Sequence, residues 1–425
     1  MPATKIPHLR WWIIALISLG TIVNYIARNS LGVLAPQLQT HMHISTAQYS
    51  YVLAAFQGAY TLMQPVCGYV VDRLGLRLGF TLFAVAWSLA NMAHALATGW
   101  MGLALFRGLL GMSEAAAIPS GMKAVSIWFP ANERSMAVGW FNLGTSVGGM
   151  IAPALVVALL LAYNWQAAFI VTGGIGLVWA ALWYGFYRDP EVHPALGESE
   201  RAHILAGRPP VQKSKLTLNK LIGLLGAPKF WTIAIPRFLA EPAWQVFSFW
   251  IPLYLAKERG MDLKHIAAFA WLPFLAADAG ALTGGYIAPF LIKHFGVKLI
   301  PSRVYGIAGA ALLMIGPGCI GLVASPHMAI ALFCIGGFAH QTLSILINTL
   351  TADVYAPEDV GMANGFVGQM GWIGGLLFSL LIGQLADKVG FGPLFGALGV
   401  FDLIGAAVLI LAIKQLVPFG GEARA

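Results

Sequence analysis

Long apolar stretches, separated by short polar gaps, dominate the pattern of this chain. A helix needs about 20 largely apolar residues to cross about 30 Å of hydrocarbon. The pattern therefore predicts an all-α integral membrane protein with twelve transmembrane helices. The predicted spans are 11–36, 47–71, 77–97, 100–123, 135–161, 166–187, 229–256, 264–292, 299–323, 327–351, 360–386 and 393–416.

A longer polar stretch, residues 188–228, lies between the sixth and seventh predicted spans. It carries several basic residues and five prolines. We interpret it as a cytoplasmic linker between two six-helix halves, residues 1–187 and 229–425. This layout is typical of transporters built from repeats, although a multi-span membrane enzyme could share it. The basic residues that define the linker include Arg201, Arg208, Lys213, Lys215 and Lys220.

Composition supports the membrane class and excludes others. The chain is 58% hydrophobic and 10% charged, whereas an average globular protein is roughly a quarter charged. Its net charge of +8 comes from residues in short gaps between apolar stretches, which excludes the continuous basic patch of a nucleic-acid-binding protein. The three cysteines all lie in apolar runs, so a disulfide framework is also excluded.

The distribution of Lys and Arg predicts the orientation of the chain. With the N-terminus inside, 18 of the 25 basic residues fall on the inner side and four on the outer side. Cytoplasmic loops carry the excess of Lys and Arg, so we expect both termini in the cytoplasm. The very short outer loops favour a bacterial inner membrane.

Three ionisable residues inside the first half point to an anionic substrate. A charged side chain at mid-membrane costs at least about 2.5–3.5 kcal/mol, so such residues are expected only where they have a functional or structural role. Arg107 and Glu114 are seven residues apart, hence on one helix face and about 10.5 Å apart along the axis, too far for a direct ion pair. With Arg28 in the first span they leave a surplus positive charge that a substrate carboxylate would fit. The alternative is a purely structural network.

Glu114 offers a mechanism for proton coupling. Burial favours the neutral form of a carboxyl, whereas nearby arginines favour the ionised form. A substrate anion that occupies the arginines would push Glu114 toward protonation. Anion and proton would then favour each other's binding, which is the basis of symport.

The ionisable residues in the second half can also be interpreted as structural, gating or packing residues. Arg237 and Glu241 are four residues apart in the seventh span and within direct reach, so a gating or structural role fits at least as well as substrate contact. Asp278 fits a second proton site and a packing acceptor equally. Asp402 and His94 are predicted to be packing residues with satisfied hydrogen bonds.

Polar and aromatic residues within the spans suggest a site for a polyhydroxylated solute. Such a ligand needs many donors and acceptors and an aromatic face for its C–H surface. Any one of these residues alone would more often join helices than bind a ligand. The candidates are Tyr25, Tyr60, Asn142, Thr145, Gln341, Asn348, Asn364, Gln369 and Trp372.

The segment from Gly68 to Arg77, between the second and third spans, resembles the loop signature of the major facilitator superfamily. It contains Asp72 and Arg73, and Asp72 is expected to cap a helix and to pair with nearby basic residues. We assign Asp72, Arg73 and Arg77 a gating or structural role. The similar run from Gly383 to Gly390 falls on the predicted outer side, and we treat it as coincidence.

Over nearly its whole length the chain also resembles a narrower group, the anion:cation symporters, and within it the bacterial hexuronate transporters. The supporting runs are residues 24–29, 106–114, 128–134, 236–244, 269–271 and 336–341. The resemblance implies uptake of glucuronate or galacturonate with protons, with Arg28 and Arg107 on the substrate carboxylate, Tyr25 and Tyr60 nearby, and Glu114 carrying the proton.

One departure concerns the proton count, because sugar-acid relatives often have an aspartate where this chain has Ala27. Either a single proton moves through Glu114, or Asp278 or Glu241 takes the place of the missing aspartate and carries a second proton. The open alternatives are another organic anion such as an aldonate or aldarate, sodium coupling, a multi-span membrane enzyme and a non-translocating sensor. We expect no metal, no cofactor and no nucleic acid, only the lipid bilayer, the small-molecule anion and the proton as partners, and a monomer.

Overall fold

The computed structural model describes residues 5–130, 133–206, 218–356 and 359–418. Within these ranges the chain is helical, and its only β-type pairing is one isolated bridge between Ile6 and Leu196. The predicted linker residues Arg208, Lys213 and Lys215 lie outside the described residues.

The chain forms two compact units. Unit 1 comprises Met1–Ile44 and Tyr51–Val211, and unit 2 comprises Ser45–Ser50 and Gln212–Ala425. The first eight helices, of which α2 has its first turn in unit 2, are α1 Leu9–Met42, α2 Thr46–Leu74, α3 Leu76–Ala93, α4 Trp100–Glu114, α5 Ala117–Trp128, α6 Arg134–Ala162, α7 Trp165–Phe186 and α8 Glu198–Ala206. The helices of unit 2 are α9 Leu218–Gly226, α10 Pro228–Phe249, α11 Ile251–Lys257, α12 Leu263–Phe269, α13 Leu272–Phe295, α14 Leu299–Leu313, α15 Ile315–Gly318, α16 Pro326–Val354, α17 Val360–Val389 and α18 Phe391–Leu411.

Each of the twelve predicted spans coincides with helical structure. Ten of them are long and apolar enough to cross a membrane. The other two are α2 and α10 with α11, which stand where spans 47–71 and 229–256 were predicted. These helices are less apolar because they carry glutamines and charged residues among their apolar ones.

Four of the predicted spans are interrupted, and a proline follows each interruption closely. The breaks separate α4 from α5, α10 from α11, α12 from α13, and α14 from α15. Proline lacks a backbone N–H and fits best in the first turn of a helix, where that donor would have no helical acceptor. The four prolines are Pro119, Pro252, Pro273 and Pro317.

Glycines on α6 allow α1 to approach closely in unit 1. A Cβ atom on Gly144 would lie 2.6 Å from the carbonyl oxygen of Ser18, and one on Gly148 would lie 2.6 Å from that of Ile22. Small residues at a helix interface let backbones pack in this way within membranes. These glycines therefore let α1, the helix that carries Arg28, pack closely against α6.

In unit 2, α10 packs against a glycine-lined face of α17. Pro242 cannot donate to the carbonyl oxygen of Phe238 one turn earlier. That oxygen faces Gly374, at which a Cβ atom would collide with it. The same face places Gly371 beside Arg237 and Glu241, so the proline-containing segment of α10 and its ion pair are held on α17.

Candidate functional site

A buried ion pair joins α1 to α4 in unit 1. The Nε atom of Arg28 donates to Oε2 of Glu114 at 2.9 Å. The side chain of Arg28 is 5% exposed and that of Glu114 is 0% exposed. The second oxygen of Glu114 is buried and has no hydrogen-bond partner among the described residues. Half of this carboxylate is therefore unsatisfied within the protein.

Arg107 belongs to the same cluster but does not pair with Glu114. It is fully buried, and its Nη2 atom donates to the main-chain carbonyl oxygen of Arg28. Its guanidinium carbon lies 4.7 Å from the centroid of the Phe56 ring. The cluster thus contains two guanidinium groups and one carboxylate, and it keeps the surplus positive charge expected from the sequence.

Three aromatic rings surround the Arg28 guanidinium. Its central carbon lies 4.5 Å from the ring centroid of Tyr25, 4.9 Å from that of Tyr60 and 5.4 Å from that of Phe56. A cation over an aromatic face is stabilised, more strongly so when it is desolvated. Tyr25 and Tyr60 therefore lie beside the arginine, as expected, and Phe56 is a contact that sequence reasoning did not single out.

The other polar candidates of unit 1 lie on α6. Asn142 is exposed, and the Thr145 hydroxyl donates to the Asn142 carbonyl oxygen at 2.7 Å. This bond is local to the helix. The structure thus places both residues on the helix that packs against α1, without joining them to the charged cluster by a hydrogen bond.

In unit 2 the predicted pair of Arg237 and Glu241 is present, with Nη2 and Oε2 2.8 Å apart. Arg237 also donates from Nη1 to the hydroxyl of Ser344 on α16. The pair lies between Pro236 and Pro242, in a part of α10 with two missing backbone donors. The opposite charges of Arg237 and Glu241 neutralise each other, as their spacing of four residues indicated.

The remaining candidates of unit 2 are spread over three helices. Asp278 is half-buried on α13, and Asn348 is exposed on α16. Gln341, Asn364, Gln369 and Trp372 are half-buried on α16 and α17. These candidates therefore lie on α13, α16 and α17, whereas Arg237 lies on α10.

Two residues were predicted to be packing residues with satisfied hydrogen bonds, and each keeps a buried atom without a partner among the described residues. The Nδ1 atom of His94 lies 2.9 Å from the carbonyl oxygen of Ala90 and its ring stacks on Phe169, but its Nε2 atom has no partner, so the prediction holds for His94 only in part. Asp402 is 3% exposed on α18, and its Oδ1 atom has no hydrogen-bond partner among the described residues. The prediction that Asp402 is satisfied is therefore wrong, because the surrounding helices present it no donor.

Asp72, in the last turn of α2, pairs with a basic residue as expected but does not cap a helix. Asp72 contacts Lys123, with Oδ1 and Nζ 2.7 Å apart. Helix α3 begins after Gly75 and has no side-chain cap, so the predicted cap by Asp72 is wrong. Arg73 and Arg77 instead donate to the Tyr69 hydroxyl and to the Tyr184 carbonyl oxygen.

The second run, from Gly383 to Gly390, also has partners. Within unit 2, the Oδ1 atom of Asp387 accepts from the hydroxyl of Thr46 at 2.7 Å and lies 3.3 Å from the Nζ atom of Lys257. The Lys257 ammonium donates to the same hydroxyl at 2.8 Å. The three residues fix the first turn of α2 to the end of α17.

A polar network outside the spans of unit 1 surrounds Glu133. Its carboxylate accepts from Arg10 Nε at 2.9 Å and lies 3.0 Å from Nε2 of His203. Arg10 also donates from Nη1 to Glu200 at 2.7 Å. Burial alone would raise the pKa of Glu133, but the hydrogen bonds from His203 and Arg10 outweigh it and hold this pKa below its ordinary value.

The described residues contain no group of three or more His, Cys, Asp or Glu side chains placed to hold a metal ion. The site therefore consists of arginines, one carboxylate and aromatic rings. Such a set can bind an anion and exchange a proton, and it lacks a base-activated nucleophile.

The chain is similar to known membrane transporters. The sequence profile of the Major Facilitator Superfamily matches residues 17–317. The chain is 50% identical over 412 residues to the "Hexuronate transporter" of Escherichia coli strain K12, covering 97% of this chain and 95% of that protein. It is 51% identical over 328 residues to the "Galacturonate transporter" of Dickeya chrysanthemi, covering 77% and 95% respectively.

A solved structure supports the same fold. A bacterial homologue of the human lysosomal transporter Spinster has a TM-score of 0.75 at 19% identity, covering 97% of this chain and 98% of that one. The fold and the buried arginine site define a multi-span membrane transporter, not an enzyme. The chain belongs to the Major Facilitator Superfamily, and the predicted resemblance to bacterial hexuronate transporters is confirmed. Its bacterial relatives and its helical spans indicate an inner-membrane protein.

Proposed function

We propose that this protein imports hexuronates, galacturonate or glucuronate, together with protons by alternating access. The observation that carries the proposal is the buried cluster of Arg28, Arg107 and Glu114. Two guanidinium groups lie there with one carboxylate, which pairs with Arg28 and has a second oxygen without a partner among the described residues. The names of the relatives from E. coli and D. chrysanthemi support a hexuronate as the substrate.

In this proposal the substrate carboxylate binds Arg28 and Arg107. A guanidinium fork holds a carboxylate through two parallel hydrogen bonds. Arg28 now donates to Glu114, so an incoming anion competes with Glu114 for the same donor. The displaced carboxylate, buried and without its counter-charge, is stabilised by taking up a proton. Substrate and proton thus bind together, which couples their movements.

Tyr25 and Tyr60 supply an aromatic wall beside the arginines. The proposed polar contacts to the sugar hydroxyls complete the substrate site, and Glu241 or Asp278 is proposed to take any second proton. Arg237, Asp72, Arg73 and Arg77 are proposed to have gating or structural roles. The proposed contacts are Asn142, Thr145, Gln341, Asn348, Asn364, Gln369 and Trp372.

The proposed arrangement in the membrane has two halves, residues 1–187 and 229–425, joined by the linker 188–228, with both termini in the cytoplasm. A monomer suffices because one chain carries both halves. A second candidate substrate is an aldonate, since a "D-galactonate transporter" of E. coli is 29% identical over 431 residues. Galactonate shares the carboxylate but lacks the ring.

Uptake into proteoliposomes tests the proposal. Purified protein is reconstituted and given labelled galacturonate, glucuronate or galactonate, with and without an inward proton gradient and with sodium absent. We expect accumulation of a hexuronate that a protonophore abolishes. Sodium-dependent accumulation, or accumulation of galactonate alone, would contradict the proposed coupling or the proposed substrate respectively.

A further inference from the structure

Asp402 is a buried carboxyl that the proposed mechanism does not use. It lies near the middle of α18 and is 3% exposed. Among the described residues, its Oδ1 atom has no hydrogen-bond partner and no basic group forms a salt bridge with its carboxyl. An ionised carboxylate left unpaired in an apolar interior is so costly that the group takes a proton instead.

The helices around Asp402 supply no counter-charge. On α10, Arg237 and Glu241 pair with each other and contact Gly371 of α17. On α14, Arg303 pairs with Asp353 of α16, 3.0 Å away, and Tyr305 is exposed. The basic groups of the packed helices are therefore engaged elsewhere.

On α17 and beyond α18, the ionisable groups also lie away from Asp402. Asp387 and Lys388 are in the last turn of α17, and Asp387 contacts Lys257. Lys414 follows the end of α18 in a 3₁₀ turn, about three helical turns from Asp402 at 3.6 residues per turn. These surroundings therefore favour the protonated, neutral form of the Asp402 carboxyl.

The helices packed against Asp402 carry a proline on two sides, Pro236 inside α10 and Pro317 in α15. Gly399, one turn before Asp402, lies against the Met314 carbonyl oxygen, where α14 ends before Pro317. Gly405, about one turn after it, lies against Pro236 of α10. Prolines remove backbone donors and allow a helix to bend. Both neighbours of the carboxyl therefore have a place where bending could admit a proton.

We propose that Asp402 is a proton-binding site of unit 2, occupied in this conformation and separate from Glu114. In the proposed symport it is a further candidate for the second proton, beside Glu241 and Asp278, because this chain has Ala27 where sugar-acid relatives often have an aspartate. This use in transport rests on the proposed function, whereas the protonation itself does not.

Infrared spectroscopy of the purified full-length protein tests the protonation. The carbonyl stretch of a protonated carboxylic acid is distinct from that of a carboxylate and shifts in D2O. We expect this band at pH 7 in the wild type, its loss in Asp402→Asn, and its retention in the matched control Asp353→Asn, whose carboxylate pairs with Arg303. If Asp402→Asn does not fold, ¹³C labelling of aspartate in the wild type shifts the band. Absence of a protonated aspartate at pH 7 would overturn the proposal.

Proton and galacturonate fluxes measured together in proteoliposomes test the use in transport. We expect Asp402→Asn to transport with a lower ratio of protons to galacturonate, and Asp353→Asn to keep the wild-type ratio. An unchanged ratio in a variant that has lost the infrared band would overturn the transport role. If the wild type moves neither hexuronate, the proposed function fails, and the infrared result still decides whether Asp402 binds a proton.

Discussion

The Nε atom of Arg28 on α1 donates to Oε2 of Glu114 on α4 at 2.9 Å, while the other oxygen of Glu114 has no donor among the described residues. The pair is buried, so its attraction is weakly screened. A substrate carboxylate is the natural competitor for the guanidinium. Coupling of anion and proton would follow from this one exchange of partners.

We predict that Glu114→Gln loses proton-driven accumulation of galacturonate and retains exchange of labelled for unlabelled galacturonate. Glutamine keeps the shape of the side chain and cannot bind the coupled proton. Both activities are measured in proteoliposomes, with the exposed Glu198→Gln as the control. Uphill uptake at the wild-type level in Glu114→Gln would refute the coupling role.

We predict that Arg107→Lys weakens galacturonate binding. A lysine ammonium cannot present the guanidinium fork, and a lost charge-assisted hydrogen bond of about 1.5–3 kcal/mol corresponds to about a tenfold to hundredfold loss of affinity. Titration calorimetry on purified protein measures the effect. Affinity within twofold of wild type, in a variant with a wild-type thermal transition, would contradict the assignment of Arg107 to the carboxylate.

We predict that Gly148→Ala destabilises unit 1, because the new Cβ atom would lie 2.6 Å from the Ile22 carbonyl oxygen. Overpacking of this kind costs about 1–3 kcal/mol. The matched control is Gly139→Ala on the same helix, where a Cβ atom meets nothing within 4 Å. The temperature of thermal unfolding in detergent should fall for Gly148→Ala only. Equal transitions in both would contradict the close approach of α1 and α6.

We predict that Glu133→Gln lowers thermal stability at pH 7 and that this difference vanishes in acid. The pKa of Glu133 is held below its ordinary value by His203 and Arg10 in spite of burial. A lowered carboxyl pKa gives stability above the ordinary value of about 4.3, and that stability is lost as the pH falls through the folded value.

Unfolding temperatures of wild type and Glu133→Gln from pH 7 downward check this prediction. The gap should stay constant to about pH 5 and close below about pH 4.3. The exposed Glu198→Gln should show little gap at any pH. A gap for Glu133→Gln that widens in acid would contradict the sign.

The sequence predicts the helices well because membrane spans are long and apolar. It also groups Arg28, Arg107 and Glu114 through the cost of charge at depth. It does not show that Arg28 pairs with Glu114, because residues 86 positions apart meet only through helix packing. The pair of Arg237 and Glu241 could be predicted without knowing how the helices pack, because both residues lie on one helix.

Other contacts required the tertiary structure for the same reason. Asp72 pairs with Lys123, which is 51 positions away in the chain. Asp387 meets Thr46, far away in the chain. Asp402 looks like an ordinary packing residue until its surroundings are known. A sequence can indicate a buried polar group, but it cannot show whether that group finds a partner.

Proton uptake on substrate binding tests the central claim most directly. Purified protein in weakly buffered solution receives galacturonate while the pH is recorded, for wild type and Glu114→Gln. We predict that binding draws protons from solution in the wild type and that Glu114→Gln binds galacturonate with smaller or no uptake. Equal proton uptake in both proteins, or binding to the wild type without any uptake, would contradict the exchange of partners at Arg28.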